Sequence, residues 1–155
     1  MAVYKKLDEM GLSLPEHPPQ GGLYKSIVQQ GNLLYLAGIG PVDGDGVPQY
    51  TGKLDSECSL EDGRAAAKRI ALNALAVLDN HLGDLNKISR LIKTLGFVAS
   101  SFDFNDQPKV VDGCSQVFEE LFGEAGVGAR SAIGVYELPD DYPVEIEFIF
   151  EIKDE

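Results

Sequence analysis

The sequence predicts an α+β fold in which one mixed β-sheet carries two helices on one face. Three observations support this: pairs of short strands near both ends of the chain, two amphipathic helical segments, and the order β-β-α-β-α-β-β. A chain of 155 residues suits one domain with a sizeable core. We therefore predict an N-terminal arm over residues 1–20, rich in Pro and Gly at its end, and a single domain over residues 21–155.

The first two strands are predicted within "YKSIVQQGNLLYLAG", around a tight "QGN" turn. Ile27 and Val28 precede the turn, and the apolar run Leu33 to Leu36 follows it. The next stretch, "GIGPVDGDGVPQYTGK", is dense in Gly, Pro and Asp, and is predicted to be a loop.

The first predicted helix lies within "SLEDGRAAAKRIALNALAVLDNHLGDL". Ser59 followed by Asp62 resembles a capping box, with Asp in place of Glu, and Gly83 is a suitable residue to end the helix. Its apolar face consists of Ala67, Ile70, Ala71, Ala74, Leu75, Leu78 and Leu82. The segment "ISRLIKTLGFVAS" follows as the third strand.

The second predicted helix lies within "DQPKVVDGCSQVFEELFG" and ends at Gly123. Its buried face consists of Val110, Cys114, Val117, Phe118 and Leu121. Residues 129–152 are predicted to form a closing hairpin whose second strand alternates apolar and acidic residues. Both faces of these last strands carry apolar or small residues, among them Ile133, Ala132 and Ile149. Because two helices cover only one face, we expect a cyclic homo-oligomer in which sheets pack together.

The charge balance disfavours nucleic acid as a partner. The net charge is −12, from 25 acidic and 13 basic residues, and no basic run exceeds two residues. The sequence has no apolar run of membrane-spanning or signal-peptide length, so we expect a cytoplasmic protein without membrane contact. Cys58, Cys114, His17 and His81 have no metal-ligand spacing, so we expect no metal site and a buried, unreactive Cys114.

Arg130 and Glu145 are the candidate functional residues, because each interrupts an otherwise apolar segment. An Arg at the start of a buried strand can bind a carboxylate through two parallel hydrogen bonds. Glu145 could hold that Arg or orient a water molecule. Two interpretations stay open at this point: both side chains are solvated edge residues, or both point into one pocket.

Several segments in order resemble the YjgF/RidA family, also called L-PSP endoribonuclease-like. These are "GLYKSIVQQGNLLYLAGIGP", "VFEELFGEAGVGARSAIGV", "ARSAIGVYELP" and "VEIEFI", which together cover roughly residues 20–152. The resemblance is strongest to a subgroup with a longer N-terminal arm. It implies a chorismate-mutase-like fold and a homotrimer with three clefts between subunits. It also implies hydrolysis of reactive enamines and imines, such as 2-aminoacrylate, to 2-keto acids and ammonia without a cofactor.

The resemblance also implies site residues. Arg130 would bind the substrate carboxylate with help from the main-chain N–H of Ala132, and Glu145 would position the attacking water. Tyr24 would form a wall of the pocket, and the Gly38 carbonyl would accept a hydrogen bond from the imine nitrogen. Ser115 corresponds to a family Asn, and Ala132 stands where many active members have Cys.

Two alternatives remain beside the deaminase. A regulatory or non-catalytic trimer that binds a small carboxylate would keep Arg130 but would not need Glu145. An endoribonuclease is the less favoured alternative, because the chain is acidic and lacks a His-based acid–base pair.

Overall fold

The computed structural model describes residues 2–155 and has the α+β architecture expected from the sequence. The helices are α1 (Ala2–Glu9), α2 (Leu60–Leu82) and α3 (Gln107–Phe122). The strands are β1 (Ile27–Gln30), β2 (Leu33–Ile39), β3 (Ile88–Ala99), β4 (Ala129–Val135) and β5 (Val144–Ile152). The β-β-α-β-α-β-β order is confirmed, and α1 is an additional helix at the start of the chain.

The five strands form one sheet in the order β1-β2-β5-β3-β4. The predicted hairpin of β1 and β2 is present, and Gly31 in its turn has a positive φ of 60°. The predicted hairpin over 129–152 is wrong, because β4 pairs in parallel with β3 while β5 lies between β2 and β3. The connection between β4 and β5 contains Pro139 and Pro143, and it is too long and too irregular for a tight hairpin turn.

The predicted ends of the two long helices are confirmed. The Ser59 side chain accepts a hydrogen bond from the Asp62 N–H at 3.1 Å, and Gly83 adopts the left-handed conformation with φ 76°. Gly123 ends α3 with φ 66°. The two helices approach closely at Gly113, where a Cβ would lie 2.1 Å from the Arg64 carbonyl oxygen.

The core lies between the sheet and these helices. The alternate residues Val144, Ile146, Phe148 and Phe150 of β5 are buried there. Phe118 of α3 meets Phe148 and Phe150 edge-on, with 5.5 Å between ring centroids in each pair. The other residues of β5, including Glu145 and Ile149, belong to the opposite face, which no helix covers.

Helix α1 packs on the same core through Val3 and Leu7, which are buried. Its Tyr4 hydroxyl donates to Asp79 of α2 and accepts from the Leu85 N–H. The start of the chain is therefore fixed to the domain by both apolar and polar contacts. No helix within residues 2–155 combines the length and the apolar character that crossing a bilayer requires.

Candidate active site

Arg130 lies near the start of β4, on the face of the sheet that the helices cover. It pairs with Thr94 of β3, which in turn pairs with the buried Phe148, so the three side chains share that face. The Arg130 Nη1 donates to Asp112 Oδ1 at 2.6 Å and to Ser115 Oγ at 3.2 Å. Arg130 is an exposed residue of the edge strand, and these two hydrogen bonds hold its guanidinium in place.

The guanidinium lines a cavity of about 330 Å³ between α3 and the sheet. This cavity, the Arg130 cavity, is lined by Leu91, Thr94, Asp112, Ser115, Gln116 and Arg130, among others. Within residues 2–155, Nε and Nη2 of Arg130 donate no hydrogen bond. Asp112 therefore fixes one edge of the guanidinium while the other edge keeps its capacity to bind an anion.

Asp112 is a contact that the sequence analysis missed. It lies three residues before Ser115 on α3, so helical spacing places both side chains on one face. The predicted role of Ser115 was therefore a signal that could have identified Asp112 as a second neighbour of Arg130.

Glu145 lies on the opposite, uncovered face of the sheet. It pairs with Phe97, which pairs with Ile133, and these three side chains alternate with the buried ones. Burial, and secondarily repulsion by Glu147, raises the pKa of Glu145. A Cβ on Gly38 would lie 2.7 Å from Glu145 Oε2, so the carboxylate occupies space that only glycine leaves open.

Tyr24, Gly38 and Glu145 all line a second cavity of about 620 Å³, the Glu145 cavity. Tyr24 is held in place by the Gly21 N–H, which donates to its hydroxyl at 3.0 Å. The structure thus brings three of the predicted site residues together around one half-buried carboxylate. No lining residue of this cavity is basic.

Tyr142 also lines the Glu145 cavity and was missed by the sequence analysis. Its ring packs so closely on Gly40 that a Cβ there would lie 2.4 Å from Cε2, and its hydroxyl lies 3.3 Å from Asp140 Oδ2. Burial, followed by the charges of Asp140 and Glu145, raises the pKa of Tyr142 to about 12, so it remains a neutral phenol. Its position three residues before Glu145 was the available signal.

One protomer therefore divides the predicted site between two cavities on opposite faces of the sheet. Arg130 and Ser115 line one, whereas Tyr24, Gly38 and Glu145 line the other. Ala132 follows Arg130 on the same face of β4, packs against the core and lines neither cavity. Within one protomer the two charged side chains do not point into one pocket, because Arg130 and Glu145 line different cavities.

The cysteines do not contribute a reactive thiol. Cys58 and Cys114 are both free and buried. Burial raises the pKa of the Cys114 thiol far above its usual value, although the charge of Arg130 acts in the opposite direction. Among residues 2–155, no group of three or more His, Cys, Asp or Glu side chains is arranged to hold a metal ion.

Comparison with known proteins places this geometry in a family. Residues 5–141 match the YjgF/chorismate mutase-like family. The description of that family gives endoribonuclease as an activity that is not established. The chain is 34% identical over 152 residues to protein TCP17 of Trypanosoma cruzi, covering 97% of this chain and 94% of that protein. The chain belongs to the YjgF/chorismate mutase-like family, which confirms the resemblance seen in the sequence.

Two further relatives bear on function and fold. A 2-iminobutanoate/2-iminopropanoate deaminase of Dermatophagoides farinae is 31% identical over 142 residues, covering 92% of this chain and 95% of that protein. The crystal structure of protein Atu1372 of Agrobacterium tumefaciens, of unknown function, superposes with a TM-score of 0.88 at 37% identity. That similarity covers 97% of this chain and 92% of the other.

Proposed function

We propose that this protein hydrolyses reactive enamines and imines of the 2-aminoacrylate type to 2-keto acids and ammonia, without a cofactor. The active site would be an inter-subunit cleft of a homotrimer, in which Arg130 of one protomer faces Glu145 of the next. The observation that carries the proposal is the complementarity of the two cavities. One offers a cation for a carboxylate, and the other offers a half-buried carboxylate whose surroundings contain no basic residue.

The position of each cavity suits such an assembly. Strand β4 is the outermost strand of the sheet, so Arg130 lies at an edge that a second copy can approach. The uncovered face around Glu145 exposes apolar side chains, including Val28, Tyr35 and Ile133. A second copy of the chain would bury these side chains and bring the two charged groups into one cleft.

Substrate binding would rest on the free edge of the Arg130 guanidinium. Nε and Nη2 can hold both oxygens of a 2-imino acid carboxylate, and the main-chain N–H of Ala132 would add a third donor. Because a main-chain N–H needs no particular side chain, Ala at this position is compatible with the role. Tyr24 would cover the bound imine, and the Gly38 carbonyl would accept the imine N–H.

Glu145 would act on water. It accepts a proton from the water as the water oxygen bonds to C2 of the imine, and it returns this proton to the nitrogen, which receives the C=N electron pair, to give a carbinolamine. The carbinolamine hydroxyl then passes its proton through Glu145 to the amino group as the C2=O bond forms and the C–N bond breaks, releasing ammonia and the 2-keto acid. The raised pKa of Glu145 makes its carboxylate a better base near neutral pH than an ordinary Glu. An imine is already electrophilic, so orientation and one base are sufficient.

The deaminase relative supports this reaction, because it matches the chain over nearly its whole length. The cavities also favour it over RNA cleavage. Neither cavity is lined by His, and the Glu145 cavity is lined by several carboxylates, which would repel a phosphate backbone.

Binding without catalysis is the second candidate, and the Asp112–Arg130 ion pair favours it. A guanidinium that already has a carboxylate at 2.6 Å attracts a further anion less strongly than a free one. The two candidates differ at Glu145, because a binding protein loses little when Glu145 is changed to Gln whereas a hydrolase loses turnover.

The first test is a coupled assay in which a dehydratase or an amino-acid oxidase generates the imine. We expect the wild type to accelerate keto-acid formation, and Arg130→Ala and Glu145→Gln to lose the acceleration. No acceleration by the wild type with any imine would contradict the deaminase and favour the binding protein.

The second test mixes the two inactive variants within one trimer by co-expression. In a hybrid trimer, Arg130 from the Glu145→Gln protomer meets Glu145 from the Arg130→Ala protomer. Random equal mixing should then restore about a quarter of the wild-type activity. If each site were built within one protomer, the mixture would stay inactive. The Arg130→Ala/Glu145→Gln double variant, mixed with either single variant, is the matched control and should restore nothing.

A further inference from the structure

The Glu145 cavity is larger than a three-carbon imine requires. In the single protomer its volume is about 620 Å³, part of which a neighbouring copy would occupy in the proposed trimer. A molecule of roughly six heavy atoms, at roughly the 30 Å³ per heavy atom of liquid water, would fill less than a third of it. The remaining space extends beyond Tyr24, Gly38 and Glu145 to residues that the proposed reaction does not use.

The N-terminal segment and the loop after β2 build one wall of this additional space. Pro18 and Pro19 come from the first, and Asp45 and Gly46 from the second. The two segments interlock, because a Cβ on Gly46 would lie 3.0 Å from Pro19 Cγ. Gly46 also has a φ of 82°, which favours glycine. The two segments therefore form this wall in contact with each other, with Pro18 buried and Pro19 and Asp45 exposed.

Val42 and the ring of Tyr142, which packs on Gly40, also line the space. The fully buried Asn73 of α2 donates from Nδ2 to the carbonyls of Gly40 and Val42, at 3.1 and 3.0 Å. These bonds hold the main chain at Gly40 and Val42, so the space is formed before any ligand binds.

The charges around the space are all of one sign. Asp45, Asp140 and Glu145 line the cavity, and no Lys, Arg or His does. Tyr142 remains a neutral phenol beside them. Arg69 does not line the cavity, although its Nε donates to the Val42 carbonyl at 3.1 Å. A second carboxylate on a ligand would meet like charge on the lining side chains, whereas an apolar or cationic group would not be repelled by them.

From this geometry we infer that the space between Pro18, Pro19, Val42, Asp45 and Tyr142, the side-chain compartment, binds the side chain of the substrate. The substrates are accordingly 2-imino acids with long neutral or cationic side chains, and imines with an acidic side chain are rejected. The inference rests on the proposed function, because it assumes that the reacting carbon lies between Arg130 and Glu145.

Turnover of a graded series of imines tests this directly. We would generate imines from alanine, methionine, arginine and glutamate with amino-acid oxidases, and measure kcat/KM for each. The methionine- and arginine-derived imines should exceed the alanine-derived imine by at least about tenfold. The glutamate-derived imine, similar in length to the methionine-derived one, should fall below it by a comparable factor.

The outcomes separate the two proposals. Fastest turnover of the alanine-derived imine, or equal turnover of the glutamate- and methionine-derived imines, would overturn the side-chain compartment and leave the deaminase intact. Absence of turnover with every imine would overturn the deaminase itself.

A charge reversal at the compartment gives a second readout. Asp45→Lys should raise the ratio of glutamate-derived to methionine-derived turnover by at least about fivefold, because it places a cation on the wall. Glu120→Lys makes the same change in net charge on the exposed surface of α3 and should leave the ratio unchanged. Equal ratios in the two variants would contradict the compartment.

Discussion

The two cavities differ in how their charged group is held. Arg130 is on the helix-covered face, where Asp112 and Ser115 accept hydrogen bonds from it. Glu145 is on the uncovered face, where burial raises its pKa and no hydrogen bond acts in the opposite direction. The cation is therefore already compensated within the protomer, whereas the carboxylate is not. In the proposed assembly, Glu145 rather than Arg130 is therefore the group that gains more from a charged partner on a second copy.

The largest expected effect comes from removing the cation. Arg130→Ala should lower kcat/KM by about 10³-fold or more, because two charge-assisted hydrogen bonds to the substrate carboxylate are lost. Arg130→Lys should recover only part of this, because Lys keeps the charge but not the paired donors. Steady-state kinetics measures the loss.

Size-exclusion chromatography with light scattering is the control for Arg130. Arg130→Ala should assemble like the wild type, because its hydrogen bonds lie within the protomer. Loss of assembly would show that Arg130 acts as a structural residue and would remove the basis of the comparison.

Glu145 should affect a different kinetic parameter. Glu145→Gln should lower kcat by about 10²-fold, because Gln cannot accept the proton of the attacking water. The Kd for a 2-keto acid product should not rise, because the carboxylate clamp is intact. Calorimetry measures the Kd. Unchanged kcat would favour the binding protein, and an equal loss in both parameters would contradict the separation of roles.

Asp112 should have a smaller effect, of the opposite sign. Asp112→Asn keeps an oxygen to accept from Arg130 but removes the competing negative charge. We expect 2-keto acids to bind about two- to fivefold more tightly, the range typical of partly exposed ion pairs. Glu120→Gln changes the net charge equally on an exposed part of α3 and should have no effect. Weaker binding in Asp112→Asn would show that the charge of Asp112 orients the guanidinium.

Much of the fold could be predicted from the sequence because local signals determine it. Ser59, Gly31, Gly83 and Gly123 end or begin elements through local geometry, and the helical periodicity identified the buried face of α3. The pairing of β4 and β5 could not be predicted in this way. Insertion of β5 between β2 and β3 depends on contacts between segments far apart in sequence, which residues 129–152 do not encode by themselves.

The site could be predicted only in part for a related reason. The sequence placed Arg130 and Glu145 on adjacent segments, and the actual strand order puts them on opposite faces. Asp112 and Tyr142 were identified through contacts across the fold, with Arg130 and Gly40 respectively. Which residues of a second copy meet these groups depends on quaternary structure, which hydrophobic patterning indicates without specifying its geometry.

The smallest expected effect concerns stability and isolates the uncompensated charge of Glu145. In an Arg130→Ala background, Glu145→Gln should raise the Tm at about pH 7 by a few degrees at most. Folding raises the pKa of Glu145, so the protonated side chain stabilises the folded protein. This stabilisation is fully present below the ordinary Glu pKa and is lost as the pH rises through the raised pKa. The gain should therefore vanish at about pH 3, well below the ordinary Glu pKa, where Glu145 is protonated in both states. Glu120→Gln, at an exposed position, is the control.

The same substitution in the wild-type background completes a double-mutant cycle. Arg130 and Glu145 lie in separate cavities of one protomer, so the cycle should show no coupling if the sites act within single protomers. If Arg130 of one protomer faces Glu145 of the next, the Arg130 guanidinium neutralises the Glu145 charge in the wild type. Glu145→Gln should then raise the Tm at neutral pH by less than it does in the Arg130→Ala background, or should lower it. We expect this second result, with a coupling of about 0.5–1 kcal/mol that decreases as salt is added. A coupling of zero in the assembled protein would mean that Arg130 and Glu145 do not interact. It would therefore contradict an active site shared between protomers.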